Sequence, residues 1–140
     1  MPTLLHFPLD PLSRRVRLAL AEYGVSFEMT EERPWTPSEV LFNLNPAGIV
    51  PVFVEDGGAP VNGIEAITEY REETRGNAVR LIPGPASTKA EVRRLMGWFG
   101  TKFYAGVSEP IITARIIARF ITREMDGGAP PKERVTEGPA

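Results

Sequence analysis

The chain has 140 residues, of which 42% are hydrophobic and 24% charged, and its formal net charge at pH 7 is −2. It has no cysteine and one histidine, which excludes disulfides and thiolate chemistry and argues against a metal cluster or a Ser/His/Asp triad. The slightly acidic balance argues against wholesale binding to nucleic acid.

The hydropathy pattern gives no sign of a membrane protein. No apolar run approaches the ~20 residues that span a bilayer, and the first residues lack a cationic segment and meet Pro8 before an apolar core could form. We therefore expect neither a membrane contact nor a signal peptide, and a location in the cytoplasm.

The first elements predict a strand, a helix and a second strand. Residues 3–7 are apolar and precede two prolines, as in a buried strand that stops abruptly. Asp10 and Pro11 have the pattern of an N-cap followed by proline at N1, and Gly24 falls where a helix commonly ends. Residues 25–29 alternate like a strand, so a right-handed parallel crossover should join it to the first one.

The next segment predicts a helix, a hairpin and another helix. After a loop that carries Trp35, a short helix covers 38–44, and a strand over 50–54 begins near Pro51. The turn at 56–58 returns the chain as a strand over 59–62, and 63–74 has helical spacing. The predicted order is βαβαββα, which defines an α/β domain.

Beyond this domain the pattern is helical. Glycines and prolines over 77–86 indicate a linker. One apolar stripe runs through a helix from about residue 87, and a second helix is predicted to begin near Pro110. Residues 127–140 have the composition of a disordered tail. Two amphipathic helices cannot close a core, so 87–126 should be an incomplete helical domain that exposes apolar surface.

Two segments, 10–20 and 45–56, resemble the signature blocks of the glutathione S-transferase superfamily, and Ala66 to Tyr70 resembles a third block. The resemblance implies a thioredoxin-like N-terminal domain over 1–76 with a mixed four-stranded sheet. It also implies that residues 87–126 begin the all-α C-terminal domain of that family. If the protein is an enzyme, it is then a glutathione transferase, with glutathione as a substrate and no other cofactor required.

The family must stabilise the glutathione thiolate, which is the nucleophile. Asp10 stands where the family often has serine or cysteine, and its negative charge would repel a thiolate. Ser13, in the first helical turn, is the candidate catalytic hydroxyl. The alternative interpretation is that the Ser13 hydroxyl only satisfies the helix N-terminus.

The remaining glutathione contacts are preserved in part. Val50 and Pro51 match the family's cis-proline position, where the residue before proline binds the peptide part of glutathione through its backbone. The alternative is a proline that merely opens an edge strand. Gly63 and Ile64 replace the acidic residue and serine that hold the γ-glutamyl end, and neither has a polar side chain. Glu65, one position later, is the candidate to supply a carboxylate to glutathione in their place, although its direction around the helix differs by about 100°.

Segments 5–11, 34–35 and 98–104 resemble a bacterial group of glutathione S-transferase-like proteins that bind the division protein FtsZ. This resemblance implies a non-catalytic protein whose partner is FtsZ or another acidic protein, while the wider family implies a homodimer. Trp35 is one candidate protein contact; the alternative is that it covers the core of its own domain. A row of arginines spaced four residues apart is the other, namely Arg115, Arg119 and Arg123. Its alternative interpretation is a solvated helix face. A nonfunctional fragment is the third interpretation.

Overall fold

The computed structural model describes residues 1–126 and has an N-terminal α/β domain followed by a long helical stretch. The four strands are β1 (Thr3–His6), β2 (Glu28–Glu31), β3 (Val52–Val54) and β4 (Pro60–Asn62). Their order in the sheet is β2-β1-β3-β4. β1 is parallel to β2 and antiparallel to β3, and β3 is antiparallel to β4. The predicted thioredoxin-like α/β fold with a mixed four-stranded sheet is confirmed.

The second strand begins later than residue 25, where the sequence pattern placed it. Gly24 ends the preceding helix with φ of +69°, and the Val25 N–H still donates to the Leu20 carbonyl. Val25 and Phe27 then pack against the core, so pairing with β1 starts only at Glu28. The alternation over 25–29 therefore reflects core packing before the strand as well as the strand itself.

Three helices complete the N-terminal domain: α1 (Pro11–Glu22), α2 (Glu39–Leu44) and α3 (Ile64–Thr74). The Asp10 side chain accepts a hydrogen bond from the Ser13 N–H at α1, and the Ser38 hydroxyl accepts one from the Leu41 N–H at α2. Asp10 is the N-cap that the sequence predicts, whereas Ser38, predicted as the first residue of its helix, is the N-cap before it. Each side-chain oxygen satisfies an N–H that has no partner inside its helix.

The core lies on both faces of the sheet. One cluster joins the sheet to α1 and α3, and a smaller cluster lies under α2. The first consists of Leu4, Val16, Leu20, Phe53, Ile64 and Ile67, and the second of Leu5, Leu41 and Val52. Because adjacent residues of β1 and of β3 point to opposite faces, these short strands supply both clusters.

The turn after α2 depends on Gly48. Its φ is +64°, and a Cβ added there would lie 2.5 Å from the Phe42 ring. We expect Gly48→Ala to lower the free energy of unfolding by about 1–2 kcal/mol, because alanine tolerates this backbone conformation poorly. Urea denaturation checks this. Gly58→Ala is the matched control, since its Cβ would make only ordinary contacts at 3.4 Å, and an equal loss in the two variants would contradict the prediction.

The helical stretch after residue 85 is continuous from Ala86 to Met125. It consists of α4 (Ala86–Trp98), a π-helical segment (Phe99–Ser108), α5 (Glu109–Ile112), a second π-helical segment (Thr113–Ile117) and α6 (Ala118–Met125). The predicted start of a separate helix near Pro110 is therefore wrong. Pro110 lies in the first turn of α5, immediately after the wider π-helical turns, where a missing N–H and the proline ring are tolerated better than inside an α-helix.

No residue between Ala86 and Met125 is buried. Trp98, Phe99 and Phe103 pack against each other along the helix, yet Phe99 remains 54% exposed. The start of the all-α domain is thus present with its apolar stripe uncovered over the described residues. The predicted disorder of 127–140 lies outside them. Within residues 1–126, no helix combines the length and apolar character needed to cross a membrane.

Candidate functional site

A cavity of about 350 Å³ lies between the N-terminal domain and the long helical stretch. The N-terminal domain contributes the N-cap of α1, the loop before α2 and the segment that precedes β3, while the helical stretch contributes its middle part. Its lining includes Asp10, Leu12, Glu32, Val50, Tyr104, Glu109 and Ile112. This volume is in the range of small-molecule sites.

Asp10 lines the cavity from the N-cap position of α1. It is 7% exposed, and its Oδ2 accepts from the Ser13 N–H at 2.7 Å. Its other oxygen, Oδ1, is buried and has no partner at ordinary hydrogen-bond distance among the described residues. The carboxylate therefore caps α1 with one oxygen, while the other is not open to the cavity.

Ser13 lies beneath Asp10 and does not line the cavity. It has no exposed surface, and its Oγ accepts from the Phe7 N–H at 3.4 Å. The hydroxyl thus supports the end of the β1 segment, while Asp10 caps the helix. This position gives Ser13 no direct access to a thiol in the cavity, which weighs against the catalytic role suggested by the sequence.

Tyr104 extends from the π-helical segment to the same cavity wall. Burial, the negative charges of Asp10 and Glu109, and a long hydrogen bond with the Asp10 carboxylate raise the pKa of the Tyr104 hydroxyl to about 12. Tyr104 is therefore neutral at pH 7 and able to donate a hydrogen bond. It is not a source of negative charge or a ready general base.

The cis-proline position is as the sequence predicts. The Val50–Pro51 peptide bond is cis, Pro51 is buried and Val50 lines the cavity. Among residues 1–126, the backbone N–H and C=O of Val50 form no hydrogen bond. They remain available for an extended peptide ligand.

The start of α3 lacks the polar groups that the family uses for the γ-glutamyl end. Gly63 has φ of +89° and caps the helix without a side chain, and Ile64 belongs to the core cluster. Glu65 does not line the cavity. Its Oε1 instead lies 3.8 Å from Arg15 Nη1, so the structure does not bring Glu65 together with Val50 and Asp10.

Trp35 joins the loop before α2 to the last helix. Its ring meets Phe7 edge-on at 5.7 Å and stacks on Phe120 at 5.5 Å, and its Nε1 donates to Glu124 at 3.2 Å. Arg33 also pairs with Glu124. Trp35 is half-buried, so much of its surface serves an intramolecular contact and less is left for a partner.

The predicted row of arginines is exposed. Arg115 lies in the second π-helical segment, and Arg119 and Arg123 lie in α6. None of the three forms an ion pair within the described part of the chain. Glu124, which follows Arg123 in the sequence, pairs with Arg33 and not with this row.

Sequence reasoning missed the three ionisable residues that line the cavity together with Asp10: Glu32, Tyr104 and Glu109. Glu32 is 5% exposed and accepts from the Ser38 N–H and hydroxyl. A glutamate six residues before a helix N-cap gives a weak hint of this contact. Tyr104 and Glu109 carry no local signal, because the tertiary fold and not the neighbouring sequence brings them to the cavity.

The sheet order, the cis proline beside the N-terminus of α1 and the helix that follows define a thioredoxin-like domain with the beginning of a helical domain. Residues 11–74 match the family of the glutathione S-transferase N-terminal domain. The chain therefore belongs to the glutathione S-transferase superfamily.

Similar proteins extend this relationship beyond residue 74. FtsZ-localized protein A from Caulobacter vibrioides is 37% identical over 139 residues, which cover 97% of this chain and 59% of that protein. The structure of FzlA from C. crescentus has a TM-score of 0.78 at 36% identity, with 93% of this chain and 57% of that chain covered. A glutathione S-transferase structure from Rhodospirillum rubrum F11 has a TM-score of 0.82 at 41% identity, with 94% and 57% covered. The chain thus spans somewhat over half the length of these proteins.

Proposed function

We propose that this protein is a non-catalytic glutathione S-transferase-like protein that acts by binding a protein partner in bacterial cell division, in association with FtsZ in the cytoplasm. The non-catalytic part of this proposal is based on Asp10. A buried carboxylate stands where the family needs a donor to a thiolate, and a second negative charge placed beside it would be strongly disfavoured.

Three exposed arginines support the choice of an acidic protein partner. Like charges four residues apart on a helix are mildly unfavourable unless an acidic surface faces them. Arg115, Arg119 and Arg123 are such a set, without ion pairs among the described residues. The similarity to FtsZ-localized protein A supports FtsZ as the partner to test.

Charge reversal of this row tests the proposal. We expect the 140-residue chain to sediment with FtsZ polymers, and the triple variant Arg115→Glu, Arg119→Glu, Arg123→Glu to bind at least tenfold more weakly, since opposed charges would become like charges. Raising the salt concentration should also weaken the binding of the native chain to FtsZ.

The control for that experiment changes the net charge by the same amount elsewhere. Arg14, Arg80 and Lys102 are exposed, and their replacement by glutamate should reduce sedimentation with FtsZ less than twofold. Absence of binding by the native chain, or an equal loss in the two triple variants, would contradict the proposed mode of binding.

A glutathione-dependent transferase is the second candidate, and one observation favours it. The backbone N–H and C=O of Val50, which lines the cavity, form no hydrogen bond within residues 1–126. Such an enzyme would conjugate the glutathione thiol to a small electrophile. Turnover of an aryl halide that depends on glutathione and is lost in Ser13→Ala would support this alternative.

A further inference from the structure

His6 is the one histidine of the chain, and it ends β1 with 6% of its surface exposed. Its Nδ1 lies 2.7 Å from Nη1 of Arg17 in α1. Because a guanidinium can only donate hydrogen bonds, Nδ1 must be the acceptor and carries no proton. The contact therefore requires the neutral imidazole, with its proton on Nε2.

The same arginine holds the segment that follows β1. Its Nη2 donates to the carbonyl of Pro8 at 3.1 Å, so one guanidinium bridges the His6 ring and the backbone two residues later. Phe7 and Asp10, on either side of Pro8, line the cavity, and the Asp10 N–H donates to the Phe7 carbonyl. The contact between His6 and Arg17 thus fixes a segment that forms part of the cavity wall.

Two charged side chains act on His6 from neighbouring elements. Arg17 lies on α1, and Glu31 stands opposite His6 in the parallel pairing of β1 with β2. Burial and then the charge of Arg17 lower the pKa of the His6 imidazole below its ordinary 6.5, while Glu31 opposes this shift. Within the described residues, no charged side chain of β3, α2 or α3 adds to these effects. A protonated ring would be repelled by Arg17 and attracted by Glu31.

We propose that His6 and Arg17 form an acid-sensitive switch, which holds residues 7–10 in place while the imidazole is neutral and releases them when it is protonated. Protonation at Nδ1 replaces the acceptor by a second donor, so Arg17 must withdraw, and the Pro8 carbonyl loses its partner. The imidazolium is left with Glu31 as its ionic partner. This switch lies within the N-terminal domain and does not depend on FtsZ binding.

NMR titration of the single imidazole tests the first step. Because the contact favours the neutral ring, it should be complete above pH 6.5 and be lost as the pH falls through the His6 midpoint, which we expect below 6.5 in native protein. Arg17→Met keeps an apolar stem, removes the charge and the donors, and should raise the midpoint. Arg14→Met, at an exposed position of the same helix, is the matched control and should leave it unchanged. A native midpoint at or above 6.5, or an equal shift in the two variants, would overturn the proposal.

Hydrogen exchange tests the second step, the release of the segment. The protection of the Asp10 amide is measured at about pH 7.5 and about pH 5, where ordinary carboxylates are still ionised, and is corrected for intrinsic exchange. In native protein this protection should fall about tenfold at the lower pH, and in His6→Gln it should be the same at both. Glutamine keeps an oxygen that can accept from Arg17 and has no group that titrates in this range.

An amide remote from the switch separates local release from a general loss of stability. The Asn45 N–H, which donates to the Leu41 carbonyl at the end of α2, should keep its protection within about twofold between the two pH values. An equal loss of protection at Asp10 and Asn45 would overturn the proposal, as would native protein whose Asp10 protection does not change with pH. The same loss at Asp10 in His6→Gln would also overturn it, because that variant has no imidazole to protonate.

Discussion

Trp35→Ala is expected to detach the end of the long helix from the N-terminal domain. The substitution removes the edge contact with Phe7, the stacking on Phe120 and the hydrogen bond to Glu124. For a half-buried tryptophan we expect a loss of about 2–3 kcal/mol, below the range for a fully buried one. Hydrogen exchange of the amides in α6 should then accelerate by roughly 30- to 150-fold.

Trp98→Ala is the matched control for this measurement. Trp98 lies on the same helical stretch and is 46% exposed, and its aromatic contacts are with Phe99 and Phe103 of that stretch. Its loss should leave exchange in α6 within about threefold of the native rate, because the contact with the loop before α2 is intact. Equal acceleration of hydrogen exchange in α6 by the two variants would mean that Trp35 does not hold the end of the helix against the N-terminal domain.

The sequence predicts elements whose signals are local. An N-cap aspartate followed by proline marks the start of α1, and Gly24 marks its end, because each residue satisfies a requirement of its own backbone. The cis bond at Pro51 followed from the family motif, since an isolated X-Pro pair would be expected to be trans. The βαβαββα order then follows from hydrophobic periodicity.

The remaining features depend on tertiary packing and have no such local signal. Proline favours a helix start, so Pro110 predicted a break, yet π-helical turns before it allow the helix to continue. The sequence left two interpretations of Trp35 open, and only the folded structure shows that its ring stacks on Phe120. The role of Ser13 is also hidden from the sequence. Its buried hydroxyl accepts a hydrogen bond from the N–H of Phe7, at the end of β1, and the spacing of residues does not predict this contact.

Glutathione binding is expected to appear when two missing groups are restored. We expect no detectable heat from native protein at about 10 mM glutathione, and a dissociation constant of about 1 mM or tighter for Asp10→Ser/Gly63→Glu. Serine keeps an N-cap at α1, removes the negative charge and adds a hydroxyl donor. Glutamate at residue 63 has room, since no atom lies within 4 Å of the added Cβ. The backbone at residue 63, with φ of +89° and ψ of 155°, is adopted almost only by glycine, so this substitution costs about 1–3 kcal/mol of stability.

Asp10→Ser/Gly57→Glu separates a restored site from a general effect of charge or strain. Gly57 has φ of +67° and equally open space, but lies in the hairpin turn, so this variant should not gain glutathione affinity comparable to that of the first. If native protein already binds glutathione at millimolar concentration, the Asp10 carboxylate does not exclude the tripeptide, and the transferase alternative is favoured.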